Sequence, residues 1–218
     1  MPAESPVPDA RPGVTRELGL IESLHAGPAG VRWPERHLAR MAASAAALGM
    51  PFPGAAIAAA LERARADAPS KLRVVLAADG TFAVELAALP PPTGRRAVAI
   101  LARARVDSGN RLLRHKTTAR ALYEAERRRL AEVPDGFDAI FLNERDELAE
   151  GAISNVFLLL DGRLATPPVA CGLLPGVMRA HAIAAYGAEE RVLTPDDLKR
   201  ATRVYLSNAV RGMVEVAL

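Results

Sequence analysis

Arginine stays protonated at any ordinary pH, whereas a lysine amine can lose its proton and act as a nucleophile. Of the 28 basic residues in this 218-residue chain, only Lys71, Lys116 and Lys199 are lysines. Lys116 stands in "RHKTTAR", between a histidine and two threonines, where a chain that otherwise writes arginine for charge has kept an amine. Three further segments carry chemical potential. Glu150 in "LAEGAISNVF" is a carboxylate between a strand and a glycine. "LLPGVMR" reads as a helix opening whose backbone N–H groups suit an anion, and "YLSNAVRG" as a strand ending in a polar turn. Each has a plain structural alternative: surface charge, turn carboxylate, ordinary helix start, ordinary turn.

Jointly these residues suit pyridoxal phosphate chemistry. That cofactor needs a lysine to form a Schiff base and move protons, a carboxylate to keep the pyridine nitrogen protonated, and backbone N–H groups to hold a phosphate. "HKTTAR", then "LAEGAISNVFLLLDGRLATPP", then "GLLPGVMRA", in that order and spacing, resemble the class IV aminotransferase family of fold-type IV pyridoxal phosphate enzymes. The E-G-x-x-S-N-x-F string followed by L-P-G-x-x-R carries most of the likeness, which covers nearly the whole chain and is weaker in its first half.

The resemblance implies roles residue by residue. Lys116 matches the Schiff-base lysine and Glu150 the partner of the pyridine nitrogen. Arg40, in "RHLARM", matches the H-x-x-R arginine that grips the cofactor phosphate; a surface salt bridge is its alternative. Val177 and Met178 match residues whose backbone N–H groups meet the phosphate, and Ser207, Asn208 and Ala209 the last phosphate-side segment. Arg120, read as one helical turn beyond Lys116, is a candidate for the ring hydroxyl or substrate. Ser23 stands where relatives often have the threonine of an E-T pair, which makes its hydroxyl a substrate-side candidate. His115 is a possible tuner of Lys116, and Cys171, without a paired base, reads as packing. The four histidines show no metal spacing, so no metal site is expected.

Within that family the segment "LSNAVRG", and Arg120 in place of a tyrosine, favour 4-amino-4-deoxychorismate lyase, which yields 4-aminobenzoate and pyruvate in the folate pathway. An aminotransferase acting on branched-chain or D-amino acids is the first alternative, and a catalytically silent partner subunit the second. A homodimer, and a functional link to aminodeoxychorismate synthase, are what the resemblance implies of partners.

The elements that must position these groups follow from pattern. A strand at 17–26, a helix at 32–50 with Pro34 in its first turn and Gly49 at its end, a helix at 53–68 and strands at 71–80 and 81–89 lead to a break at prolines 90–92, then a strand at 96–106. After them come a helix from Thr117 to Glu132, strand pairs on either side of Asp146 and Gly162, a helix from Pro175 or Gly176, a short capped helix at 194–202 and terminal strands. The fold class is α/β (α+β), a two-domain fold-type IV enzyme resembling D-amino-acid aminotransferase. Expected are a flexible tail at 1–14, a small domain at 15–105 and a cofactor-binding domain at 106–218. A net charge of +3 with 28 basic and 25 acidic residues spread along the chain, and no basic–aromatic platform, argues against nucleic acid. No apolar run approaches the roughly 20 residues of a membrane span, and a lone cysteine with no signal peptide fits a reducing cytoplasm.

Overall fold

A computed structural model describes residues 18–89 and 95–218. The expected tail at 1–14 and the proline break at 90–92 lie outside the described residues. The chain divides into two compact units. One holds the described residues up to Ala88 together with Lys116–Ala119; the other holds Leu89–His115 and Arg120–Leu218.

In the first unit, β1 (Leu20–Gly27), β2 (Gly30–Val31), β3 (Ser70–Leu76) and β4 (Phe82–Ala88) form an antiparallel sheet in the order β2-β1-β3-β4. Alternate residues of β3 are buried, so one face is apolar and the other faces outward. Two helices, α1 (Pro34–Leu48) and α2 (Gly54–Arg63), supply Met41, Ala45, Ile57 and Leu61 to the core shared with Leu20, Leu24, Leu72 and Leu76. Gly49 ends α1 in the left-handed region at φ 67, and its N–H closes on Ala45 and Ala46.

The second unit contains β5 (Ala97–Val106), α3 (Ala121–Leu130), β6 (Gly136–Asn143), β7 (Leu148–Gly151), β8 (Asn155–Leu160), β9 (Arg163–Thr166), α4 (Val177–Tyr186), β10 (Glu189–Glu190), α5 (Pro195–Arg200), β11 (Arg203–Asn208) and β12 (Gly212–Ala217). Its strands run in the order β10-β9-β8-β11-β12-β5-β6-β7, and β7 pairs back onto β8 through Glu150 and Asn155. The ring β8-β11-β12-β5-β6-β7 is thereby closed, which leaves no free edge along it. β8 is buried on both faces: Val156, Leu158 and Leu160 join Leu193, Leu198 and Leu206, while Phe157 packs against Ala182 of α4. The capping box of Thr194 and Asp197 starts α5 as its sequence implies.

Two expectations change. The strand at 96–106, read with the first part, pairs in parallel with β12 and β6 and belongs to the second sheet; an apolar strand pattern does not say which sheet will take it. The helix expected from Thr117 begins only at Ala121. Thr117 instead makes an antiparallel bridge to Leu20, with Ile21 N–H donating to Lys116 O (2.8 Å) and Thr118 N–H to Gly19 O (2.9 Å). β-branched threonines favour that extended pairing over a helix. Where the β5–β6 register slips, the N–H groups of Arg103 and Ala104 are taken by buried Glu126 of α3 at 2.9 and 3.1 Å. Among the described residues no helix is long and apolar enough to cross a membrane.

Candidate active site

Glu150 occupies the point at which the second sheet closes, opposite Asn155. It is 6% exposed, and both oxygens are engaged: Oε1 accepts from the Tyr123 hydroxyl at 2.7 Å and Oε2 from the Leu174 N–H at 2.9 Å. Burial raises the Tyr123 phenol far above its ordinary pKa, and the neighbouring Glu150 charge adds to the effect, so the phenol stays protonated and donates. Tyr123 is wedged edge-on against Phe141, and the Arg120 guanidinium lies 4.9 Å from its ring centre. A carboxylate held at both oxygens in this way is oriented, as a partner for a protonated pyridine nitrogen must be.

The same contacts lead to the opening of α4. Leu174 O accepts from Asn155 Nδ2 at 2.9 Å, and Asn155 Oδ1 lies against Gly176 so closely that a Cβ there would overlap it. Gly176 is the N-cap of α4, and no side chain caps the helix, so its first-turn N–H groups at Val177 and Met178 suit an anion. Ser207 stands opposite Asn155 on β11; its hydroxyl is buried and has no hydrogen-bond partner. Asn208 spends its side-chain oxygen on the N–H groups of Val210 and Arg211 (3.1 and 2.8 Å), closing the turn to β12, and Ala209 is buried beside it. An uncapped helix start, an unsatisfied hydroxyl and an oriented carboxylate joined through Asn155 and Leu174 fit a phosphorylated, nitrogen-containing ring.

Arg120 is the residue before α3, not a position one helical turn past Lys116, so the helical-spacing argument for it does not hold. Its guanidinium donates to Ala152 O at 2.5 Å and lies 3.6 Å from Glu124. Cys171 is buried, and burial with the nearby Glu147 pushes its thiol up to about 11, in keeping with packing. Burial lowers the His115 pKa, with Arg111 and Arg114 adding to the effect.

In the first unit, Lys116 lies in the short extended segment paired with the start of β1. Arg40 and His37, one turn apart on α1, share a single carboxylate. Arg40 Nε donates to Glu22 Oε1 at 2.8 Å and its NH2 to Oε2 at 2.6 Å, while His37 Nδ1 lies 2.7 Å from Oε2. Glu22 is 3% exposed. Burial alone would raise its pKa, but the Arg40 charge and the bonds from His37 and Arg40 bring it down to about 2. Ser23, the next residue of β1, points to the opposite face of the sheet from Glu22. Tyr123, Asn155 and Glu22 were absent from the sequence reading. Asn155 was within the quoted motif and Glu22 beside Ser23, so a search for hydrogen-bonding side chains flanking the motif residues finds both; Tyr123 had no signal.

A family model for amino-transferase class IV matches residues 19–218. The chain belongs to this family. It is therefore an enzyme of the pyridoxal phosphate-dependent aminotransferase and aminodeoxychorismate lyase group. A solved structure from Mesorhizobium loti, assigned as an amino-acid aminotransferase, is 38% identical with a TM-score of 0.82, covering 92% of this chain and 99% of that one. A Schizosaccharomyces pombe protein assigned as an aminodeoxychorismate lyase is 31% identical over 84% of this chain and 82% of its own length. A Thermotoga maritima protein assigned as a branched-chain-amino-acid aminotransferase is 34% identical over 90 residues, 39% of this chain and 33% of the relative. The chain is thus similar to relatives of both reaction types, and the match to the Thermotoga protein spans only a third of that relative.

Proposed function

We propose that this enzyme is a 4-amino-4-deoxychorismate lyase, releasing 4-aminobenzoate and pyruvate. The observation that carries the chemistry is Glu150, fixed at both oxygens and linked through Leu174 and Asn155 to the opening of α4. Pyridoxal phosphate, when bound, supplies an electron sink for the bond broken at the carbon bearing the substrate amine. Glu150 would pair with the protonated pyridine nitrogen of the bound cofactor. The N–H groups of Val177 and Met178 and the segment Ser207–Ala209 would hold its phosphate, and Arg40, anchored on Glu22, is the phosphate-gripping arginine that the family resemblance implies. The Lys116 amine accepts the proton from the amine-bearing carbon; loss of the enolpyruvyl group then aromatises the ring, and protonation of the released enolpyruvate gives pyruvate. Support for the lyase over its sister reaction comes from the "LSNAVRG" segment and the likeness to the S. pombe protein over most of both chains.

The second reading, an amino-acid aminotransferase, is favoured by the higher identity and nearly complete coverage of the Mesorhizobium structure. Supplying freshly made 4-amino-4-deoxychorismate and following both products separates the two. Equimolar 4-aminobenzoate and pyruvate, lost in Lys116→Ala, supports the lyase. Pyridoxal phosphate-loaded enzyme that releases neither, but passes an amino group from a D- or L-amino acid to a keto acid, supports the aminotransferase.

A further inference from the structure

Asp138 lies on β6 and is completely buried, where an ionised carboxylate is expensive unless its oxygens are bonded. Its oxygens are bonded, and Oδ2 is bonded to a single turn. Oδ1 accepts from the adjoining Ala139 N–H at 2.9 Å; Oδ2 accepts from the Ile153 N–H at 3.1 Å and the Ser154 hydroxyl at 2.5 Å. Ile153 and Ser154 belong to the turn of residues 151–154, which joins Glu150 to Asn155. Two further N–H groups of that turn are assigned: Gly151 donates to Ser154 O at 2.7 Å and Ala152 to Ala139 O at 3.0 Å. Gly151 is pressed so tightly on Asp138 Oδ2 and Ser154 Oγ that a Cβ would overlap both. The turn has little freedom, and the carboxylate beneath it supplies the acceptors that a four-residue loop cannot supply itself.

We propose that Asp138 is a positioning residue for Glu150, holding residues 151–154 so that the carboxylate stays aligned with the pyridine nitrogen of the cofactor. The inference rests on the reading of Glu150 given above. Burial raises the Asp138 pKa, partly offset by its bonds to Ser154, Ile153 and Ala139. Such a group is retained at a stability cost that an apolar residue would avoid. Asp138 acts through Ser154 and Ile153, so the turn shifts without these bonds even when the closed sheet remains folded.

The test titrates apoprotein with pyridoxal phosphate, reading the dissociation constant and the absorption band of the bound cofactor. Asp138→Ala and Ser154→Ala are expected to weaken binding about tenfold or more, equivalent to ~1.4 kcal/mol, and to shift the band in the same direction as Glu150→Gln. Asp138→Asn, which can keep an oxygen towards the turn, binds more tightly than Asp138→Ala. Thr194→Ala, which removes the capping hydroxyl of α5, lowers stability and leaves affinity and band unchanged. Wild-type affinity and spectrum in folded Ser154→Ala and Asp138→Ala overturn the proposal, as does an equal loss in Thr194→Ala. If Asp138→Ala does not fold, Ser154→Ala decides alone. An unchanged Glu150→Gln instead removes the reading of Glu150, and this inference falls with it.

Discussion

Glu22 offers a magnitude that can be worked through. The perturbation is Glu22→Gln, which keeps the shape of the buried side chain and removes its charge. In the folded chain the Glu22 pKa falls from 4.5 to about 2, because Arg40 and His37 together outweigh its burial. A depression of that size corresponds to roughly 3.4 kcal/mol of stability. The folded-state pKa lies below the unfolded one, so this contribution is complete above about pH 4.5 and is lost as pH falls from there through 2. About 1.4 kcal/mol of it remains at pH 3. Trp33, the chain's single tryptophan, is the N-cap of α1, the helix that carries His37 and Arg40. Urea unfolding followed by its fluorescence at pH 6, 4 and 3 therefore reports on this unit. Wild type should exceed Glu22→Gln by about 3 kcal/mol at pH 6, the difference shrinking by more than half at pH 3. A difference independent of pH would mean that Glu22 contributes packing alone, and one that widens in acid would reverse the sign of the argument.

Gly176→Ala places a methyl group where Asn155 Oδ1 sits, and the amide must give up its 2.9 Å bond to Leu174 O. It should cost about 1–3 kcal/mol in chemical denaturation and weaken pyridoxal phosphate binding, whereas equal stability would show that the contact relaxes freely. Tyr123→Phe leaves Glu150 Oε1 without its 2.7 Å donor. A stability loss of about 1.5–3 kcal/mol is expected, with several-fold weaker cofactor binding in an apoprotein titration. Cys171, with its thiol pushed up to about 11 by burial and Glu147, should react slowly with iodoacetamide at pH 8 in the native state and quickly in urea; rapid native labelling would contradict its packing role.

Much of the candidate site is visible in local sequence because chemistry restricts residue type. Only lysine combines a nucleophilic amine with a long reach, an anionic carboxylate favours the protonated form of a pyridine nitrogen, and an opening such as Pro-Gly at the start of a helix is legible from the backbone it requires. The caps at Gly49 and Thr194 are legible for the same reason: each satisfies orphan backbone groups within a few residues. The helix does not begin at Thr117 because its start depends on Leu20, nearly a hundred residues away, offering a better partner than the next turn. The sheet that takes β5 is not legible in its sequence because its parallel neighbours, β6 and β12, enter the chain later and leave no mark on the strand's own pattern.

By itself the sequence determined which residue types are present for the chemistry, their order, the family they resemble and most of the helices and strands. Tertiary structure decided which of these groups carry partners. Tyr123 reaches Glu150 across 27 residues, Arg40 and His37 converge on Glu22, and Asp138 underlies the turn that follows Glu150. The pairings at Glu150 and Asp138 depend on the closure of β7 onto β8, and that at Glu22 on the packing of α1 against β1. Both are settled by long-range burial and hydrogen-bond satisfaction, in which many distant residues contribute small terms that no short window of sequence contains.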